Sequence, residues 1–219
     1  MHKNIWHAKN VKSILKELNT DSNHGLSESE ALLRIKKNGR NILPEEKKDS
    51  VFKIVFSQFN SPLIYILLIA GFITLFLQHF TDALIIFITI ILNTTIGFLQ
   101  EKKASDILNK LKSIVKVKSY VIRDGLEKEI NQSDLTIGDI IILHAGNKVP
   151  ADCRVIESHD LKINESALTG EWQSVSKKID VLEENTQIFD QKNMLFMSCG
   201  VESGWGKAVV VEVGSKTEI

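Results

Sequence analysis

Cysteine is scarce in this sequence, and the two that it has are far apart. Neither Cys153 nor Cys199 lies near a histidine or a second cysteine at the spacing of a zinc site. Two isolated thiols also provide no disulfide framework of the kind that staples small secreted domains. We therefore expect two reduced, buried thiols in a cytosolic domain, and no metal site in this chain.

Charge is also scarce, but only in one segment. Residues 62–100 contain a single charged side chain, Asp82, although the whole chain carries 27 basic and 27 acidic residues. A segment of that length with one charge is not typical of a soluble surface, so we expect a lipid bilayer as a partner. The formal net charge is zero, and we expect no nucleic-acid partner.

Two uncharged runs, at about 62–81 and 83–100, make up this segment. Each is close to the ~20 residues that a helix needs to cross the apolar core of a bilayer. One long buried helix is the alternative, but a polar break separates the runs, and Thr81 or Asp82 can cap the start of a second helix. We predict a hairpin of two transmembrane helices within residues 49–102.

The lysines around this hairpin predict its orientation. They precede the first run and follow the second, and the turn between the runs has none: Lys47, Lys48, Lys53, Lys102, Lys103, Lys110 and Lys112. Basic residues stay on the cytoplasmic side of a membrane. We therefore predict an integral protein of the plasma or inner membrane with both termini in the cytoplasm.

A small helical unit is predicted before the hairpin, over residues 1–48. Its second helix has clear boundaries, because Ser27 and Glu30 form an S-x-x-E capping box and Gly39 follows the last apolar turn. After the hairpin, residues 103–219 are predicted to form a stalk helix over Lys103–Lys118 and then a domain of another kind.

This later domain is predicted to be all-β. The sequence KVKSYVIRDGLEKEI alternates around an Asp124-Gly125 turn, which indicates a hairpin, and DIIILHAG, DCRVIES and KAVVVEVG are further short strands. We expect a distorted sandwich or jelly-roll-like barrel on the cytoplasmic side. The predicted fold class is thus mixed, with a membrane α-hairpin and a soluble β domain.

The order of these pieces resembles the front third of a P-type cation-transporting ATPase of the type II group, which contains the calcium and sodium/potassium pumps. GLSESEALLRIKKNGRNILPE resembles the N-terminal domain of that family, and ILNTTIGFLQEKKASDILNKLK resembles its second span and stalk. GDIIILHAGNKVPADCRVIES and LKINESALTGE resemble strands and loops of its actuator domain.

The resemblance implies a role for the tripeptide Thr169-Gly170-Glu171. In these pumps ATP phosphorylates an aspartate of a separate domain, and the actuator loop then reaches the aspartyl phosphate. Glu171 would orient and partly deprotonate the attacking water. Gly170 would let the backbone approach the phosphate closely, and Thr169 would fix the loop. For Asp152 the resemblance implies a structural role, a turn that braces the loop.

Three positions near the tripeptide depart from the family pattern. Asn164 stands where an aspartate is usual, and it keeps the shape that a turn requires. Trp172 and Ser174 stand where a small hydroxyl residue and a proline are usual. Loss of the proline is expected to soften the backbone after the loop, and the indole adds bulk at the tip.

Other parts of such a pump are missing from these 219 residues, among them the Asp-Lys-Thr-Gly-Thr phosphorylation loop and the nucleotide-binding domain. We expect no cofactor in this chain, with Mg²⁺ and ATP bound elsewhere in the intact pump. Its partners would be the phosphorylation and nucleotide domains and the remaining spans. We expect a C-terminally truncated pump chain that is inactive alone. The alternative is a non-enzymatic, membrane-tethered regulatory or interaction module derived from a pump.

Overall fold

The computed structural model describes residues 5–43, 60–114, 117–170 and 172–218. The chain divides into two compact units, one made of Met1–Pro44 with Lys116–Ile219 and the other of Glu45–Val115.

Within the described ranges the chain forms five α-helices and seven β-strands. The helices are α1 (Val11–Glu17), α2 (Glu28–Asn38), α3 (Pro62–Phe76), α4 (Phe80–Ile114) and α5 (Ser166–Thr169). The strands are β1 (Lys118–Arg123), β2 (Leu126–Asn131), β3 (Ile140–His144), β4 (Asp152–Asn164), β5 (Ser174–Ser176), β6 (Met194–Leu195) and β7 (Gly200–Glu212).

Helices α3 and α4 pack against each other as a hairpin. A Cβ at Gly71 would lie 3.3 Å from side-chain atoms of both Ile86 and Phe87, so even a methyl group there would require these side chains to shift. The ring of Phe72 meets that of Phe87 edge-on, with 5.8 Å between their centroids. Among the described helices, Phe80–Leu108 alone is long and apolar enough to cross a membrane, and α3 is apolar but shorter.

The structure corrects two boundaries predicted around this hairpin. Helix α4 begins at Phe80, and the backbone N–H of Ala83 donates to the carbonyl of His79, so Thr81 and Asp82 lie in the first turn rather than at the cap. The stalk predicted over Lys103–Lys118 is helical as far as Ile114, and Lys118 already begins strand β1. It continues α4 without interruption, because no glycine or proline breaks the segment that joins it to the apolar run.

The seven strands form one antiparallel sheet in the order β2-β1-β3-β7-β4-β5, and β6 pairs with β4. The predicted hairpin between β1 and β2 is confirmed. Its turn residues Asp124 and Gly125 have φ angles of 53° and 74°, the two positive values that a type I′ turn requires. Strands β4 and β7 pair along most of their length, with several register shifts that bend the sheet.

The core of this unit joins the sheet to the N-terminal helices. Consecutive residues of β3 and of β7 are buried, which shows that both faces of the central strands are covered. Trp6, Ile14 and Leu18 from the N-terminal segment belong to the same buried apolar cluster as these strands. The N-terminal helices, the apolar helix and the antiparallel β domain confirm the predicted mixed fold class.

Polar contacts also join the described part of the N-terminal unit to the β domain, and both belong to one compact unit. Asn41 is buried, its side-chain amide donates to the carbonyl of Pro150 (2.8 Å), and its Oδ1 accepts from the backbone N–H of Gly214 (2.8 Å). The Arg34 guanidinium donates to the carbonyl of Ile137 at 3.1 Å. The structure shows the N-cap half of the predicted capping box: Ser27 Oγ accepts from the backbone N–H of Glu30, while the Glu30 carboxylate accepts from Arg34 Nε.

Candidate functional site

The loop that carries the Thr-Gly-Glu tripeptide connects two paired strands. Strand β4 ends at Asn164 and β5 begins at Ser174, and these two residues are cross-strand partners. Because β5 lies at one end of the strand order, the loop projects from an edge of the sheet. Ser174 begins a regular strand, so the position where a proline is usual is held by strand pairing instead.

Two of the three predicted site residues are described, and they form the end of a single helical turn. The backbone N–H of Thr169 donates to the carbonyl of Glu165 (3.0 Å), and the Thr169 hydroxyl donates to the same oxygen (3.2 Å). Gly170 follows with a φ of 76°, in the left-handed region that favours glycine. Apart from its chain neighbours, no residue that the structure describes lies within 4 Å of a Cβ built at Gly170, so the described surroundings of this backbone are open.

Glu171 lies outside the described residues, and its predicted catalytic role stays a prediction. Its neighbour Trp172 is 88% exposed, so the indole is not packed into the domain. Asn164 retains the turn predicted for it, because its Oδ1 accepts from the backbone N–H of Ser166 at 3.0 Å. This is the bond that an aspartate would make at the same position.

A buried ion pair that the sequence did not reveal lies at the base of the loop. Lys177 Nζ lies 2.6 Å from Glu165 Oε1, and both side chains are almost fully buried. Burial raises the pKa of Glu165 and lowers that of Lys177, while the attraction between the two charges opposes both shifts. The residues flank the tripeptide in the sequence, but no local signal separated them from ordinary solvated charges.

Arg154 is a second buried charge that the sequence did not single out. Its guanidinium donates to backbone carbonyls of Val155 (2.7 Å) and of Ile179 (3.0 Å), the latter in the segment that follows β5. Burial lowers the pKa of Arg154 to about 10. These bonds to uncharged carbonyl groups therefore hold the segment that follows β5 against β4.

Asp152 makes structural bonds, but to segments other than the Thr-Gly-Glu loop that it was expected to brace. Its two carboxylate oxygens accept from the backbone N–H groups of Met197 (2.8 Å) and Glu218 (2.7 Å). Burial raises the pKa of this carboxyl to about 6. Asp152 thus ties the start of β4 to the segment before β7 and to the end of the described chain.

A groove of roughly 810 Å³ lies beside the helical turn of the loop. Its lining includes hydroxyl groups and two lysines, together with a buried and an exposed acid: Thr169, Ser174, Lys178, Lys192, Glu165 and Asp190. Hydroxyls and ammonium groups are suitable donors to an anionic group that approaches this edge of the sheet.

Comparison with known proteins agrees with this geometry. The P-type ATPase actuator domain family matches residues 113–219, and the cation transporter/ATPase N-terminus family matches residues 6–74. The chain therefore belongs to the P-type ATPases, of which it carries the N-terminal and actuator regions of a cation-transporting member.

Several curated relatives align with nearly all of this chain. A probable cation-transporting ATPase F of Mycobacterium tuberculosis is 39% identical over 97% of the chain. Calcium-transporting ATPase 1 of Bacillus cereus is 40% identical over 98% of it, and a calcium-transporting ATPase of Plasmodium falciparum is 39% identical over 97%. The chain spans about a quarter of the length of the two bacterial relatives (24% and 25%).

Proposed function

We propose that the loop at Thr169, Gly170 and Glu171 promotes hydrolysis of an aspartyl phosphate held by another domain of a cation pump. In this scheme Glu171 orients the attacking water and takes up part of its proton. ATP and Mg²⁺ bind to the domains that form and hold the aspartyl phosphate. The names of the bacterial relatives favour a cation, and calcium in particular, as the transported ion.

The observation that carries this proposal is the open left-handed turn at Gly170. The helical turn at the sheet edge ends in Thr169 and Gly170, and among the described residues none beyond the chain neighbours of Gly170 lies within 4 Å of the position that a Cβ would take. A phosphate on a second domain can therefore approach this backbone without displacing any described part of this one. Movement of the domain would be transmitted to the spans through α4, which runs unbroken from Phe80 to Ile114.

The proposal is tested in a complete pump. Residues 1–219 replace the corresponding part of Calcium-transporting ATPase 1 of Bacillus cereus, which is 40% identical to them. Replacing Glu171 by glutamine is expected to slow decay of the phosphoenzyme by about 100-fold or more, the range that loss of a general base produces. Phosphoenzyme formation from labelled ATP is measured first, and decay is followed after a chase with unlabelled ATP.

Glu202→Gln is the matched control for this experiment. Glu202 is an exposed carboxylate on β7, and its replacement is expected to leave decay at the parent rate. Decay at the parent rate in Glu171→Gln itself would rule out the catalytic role. That result would favour the alternative, a membrane-tethered module that acts through binding alone.

We also propose that both termini lie in the cytoplasm and the turn between α3 and α4 lies outside, as the lysine distribution predicts. A cysteine at Asp82 is expected to react with a membrane-impermeant maleimide in intact cells. A cysteine at Asp106, within α4, is the control and is expected to react only after permeabilisation. The native thiols Cys153 and Cys199 are both buried, which keeps the background low. The reverse labelling pattern would overturn the proposed orientation.

A further inference from the structure

Glu165 has two functions in the same loop, one through its backbone and one through its side chain. Its carbonyl oxygen accepts from the backbone N–H groups of Leu168 (2.8 Å) and Thr169 (3.0 Å), and from the Thr169 hydroxyl (3.2 Å). These bonds form the helical turn that leads into the Thr-Gly-Glu tip. Its carboxylate accepts a hydrogen bond from Lys177 Nζ at 2.6 Å, beyond the tip in the sequence.

Lys177 is itself fixed to the body of the domain. Its backbone N–H donates to the carbonyl of Leu161 in β4 (2.8 Å), and its ammonium group also reaches the carbonyl of Gln191 (3.4 Å). The ammonium lies 6.0 Å from the centre of the buried Phe196 ring. Lys177 is therefore a rigid anchor that follows β5, and the bond to Glu165 closes the loop at its base.

The carboxylate of Glu165 depends on this lysine. It is 1% exposed, and within the described ranges its second oxygen, Oε2, has no hydrogen-bond partner. If the lysine charge were removed, an uncompensated carboxylate would be left in a buried site. Whether the carboxylate then takes up a proton or turns toward water, the ionic link is lost between Lys177 and the residue whose carbonyl forms the helical turn, so the turn is held less rigidly.

We infer that Glu165 and Lys177 are positioning residues, which hold the turn at Thr169 and Gly170 in the geometry that presents Glu171 to the aspartyl phosphate. The ion pair does not touch the reacting atoms. It acts by joining Glu165, whose carbonyl forms the helical turn before the tip, to Lys177, which is anchored directly after β5. This role rests on the proposed function of the tripeptide, although the anchoring itself can be measured in the chain alone.

The first experiment uses the full chain in detergent and measures hydrogen exchange by mass spectrometry. Replacing Lys177 by methionine is expected to speed exchange in peptides covering residues 165–173 by at least tenfold, with β3 and β7 unchanged. Lys177→Arg keeps the charge and is expected to restore slow exchange. Lys178→Met removes the exposed neighbouring charge and is the control. Unchanged exchange in 165–173, or equally faster exchange in β3 and β7, would overturn the inference.

The second experiment uses the chimeric pump described above. Lys177→Met and Glu165→Gln are each expected to slow phosphoenzyme decay at least tenfold while phosphoenzyme formation stays at the parent level. Since the two changes break one contact, the double variant is expected to be no slower than the slower single one. Lys177→Arg is expected to recover most of the rate. A purely structural role would instead lower the amount of phosphoenzyme formed and leave its decay rate unchanged.

Glu171→Gln in the same assay separates the two possible failures. If Glu171→Gln slows decay and the ion-pair variants do not, the positioning role is wrong and the function of the loop stands. If Glu171→Gln decays like the parent, the proposed function itself fails. Should Lys177→Met yield too little folded pump, Glu165→Gln, which keeps the size of the side chain, decides the outcome.

Discussion

Replacing Arg123 by methionine is expected to lower the free energy of unfolding of the β domain by about 3–5 kcal/mol, the cost of leaving one partner of a buried pair uncompensated. Arg123 is 2% exposed and Asp139 is fully buried. Two parallel bonds join them, from Nε to Oδ1 at 2.9 Å and from Nη2 to Oδ2 at 2.8 Å. Methionine fills much of the volume of the arginine side chain, but it leaves the Asp139 carboxylate without its cation.

The same arginine links the β domain to the N-terminal helices. Its third nitrogen, Nη1, donates to Glu28 Oε1 in α2 at 3.1 Å. Glu28 is about half exposed, so this bond adds less than the buried one. Burial opposes the charge of Arg123, but the carboxylates of Asp139 and Glu28 outweigh it and raise the pKa of the guanidinium. The side chain therefore stays charged throughout the pH range in which the domain folds.

Urea unfolding followed by tryptophan fluorescence measures this loss, because Trp6, Trp172 and Trp205 all belong to the unit that contains the β domain. Arg40→Met is the control. Its guanidinium is 64% exposed and 3.9 Å from Asp134, and its loss is expected to change stability by less than about 1 kcal/mol. Replacing Arg123 and Asp139 together by apolar residues is expected to recover much of the loss. If Arg123→Met lowers the free energy of unfolding by less than about 1 kcal/mol, the buried Arg123–Asp139 pair does not have the stabilising role described here.

Replacing Gly25 by alanine is expected to destabilise the same unit by about 3 kcal/mol or more, the combined cost of left-handed strain and of overpacking. Gly25 has a φ of 64°, and a Cβ there would lie 1.8 Å from the carbonyl oxygen of Ile122 in β1. That oxygen belongs to the backbone, so the new methyl group cannot be accommodated by a side-chain rotation. The N-terminal segment would have to separate from the sheet.

Gly146→Ala is the control for Gly25→Ala. Gly146 has a φ of 88°, also in the left-handed region, but apart from its chain neighbours no described residue lies within 4 Å of its Cβ position. Its replacement therefore measures the conformational cost alone, which is expected to be about 1–2 kcal/mol. Equal losses of unfolding free energy in the two variants would show that the contact with Ile122 contributes nothing, and would contradict the tight docking of residues 24–26.

These two experiments concern the contact between the N-terminal segment and the β domain, which local sequence signals did not reveal. Leu26 forms a bridge with Arg123, and the carbonyls of His24 and Leu26 accept from the backbone of the β1–β2 turn. Such pairing joins residues almost a hundred positions apart, and the sequence of either segment is compatible with an isolated unit. The capping box at Ser27 therefore predicted the helix correctly and left its docking partner open.

The sequence by itself determined the features that depend on neighbouring residues. These are the uncharged segment, the turn at Asp124 and Gly125, the helix start at Ser27, and the ordered motifs that identify a P-type ATPase. Only the tertiary structure decided which charges are buried. Glu165, Lys177, Arg123 and Asp139 look like solvated residues in a sequence, because the free energy of a charge depends on burial and on partners that the fold brings from elsewhere in the chain.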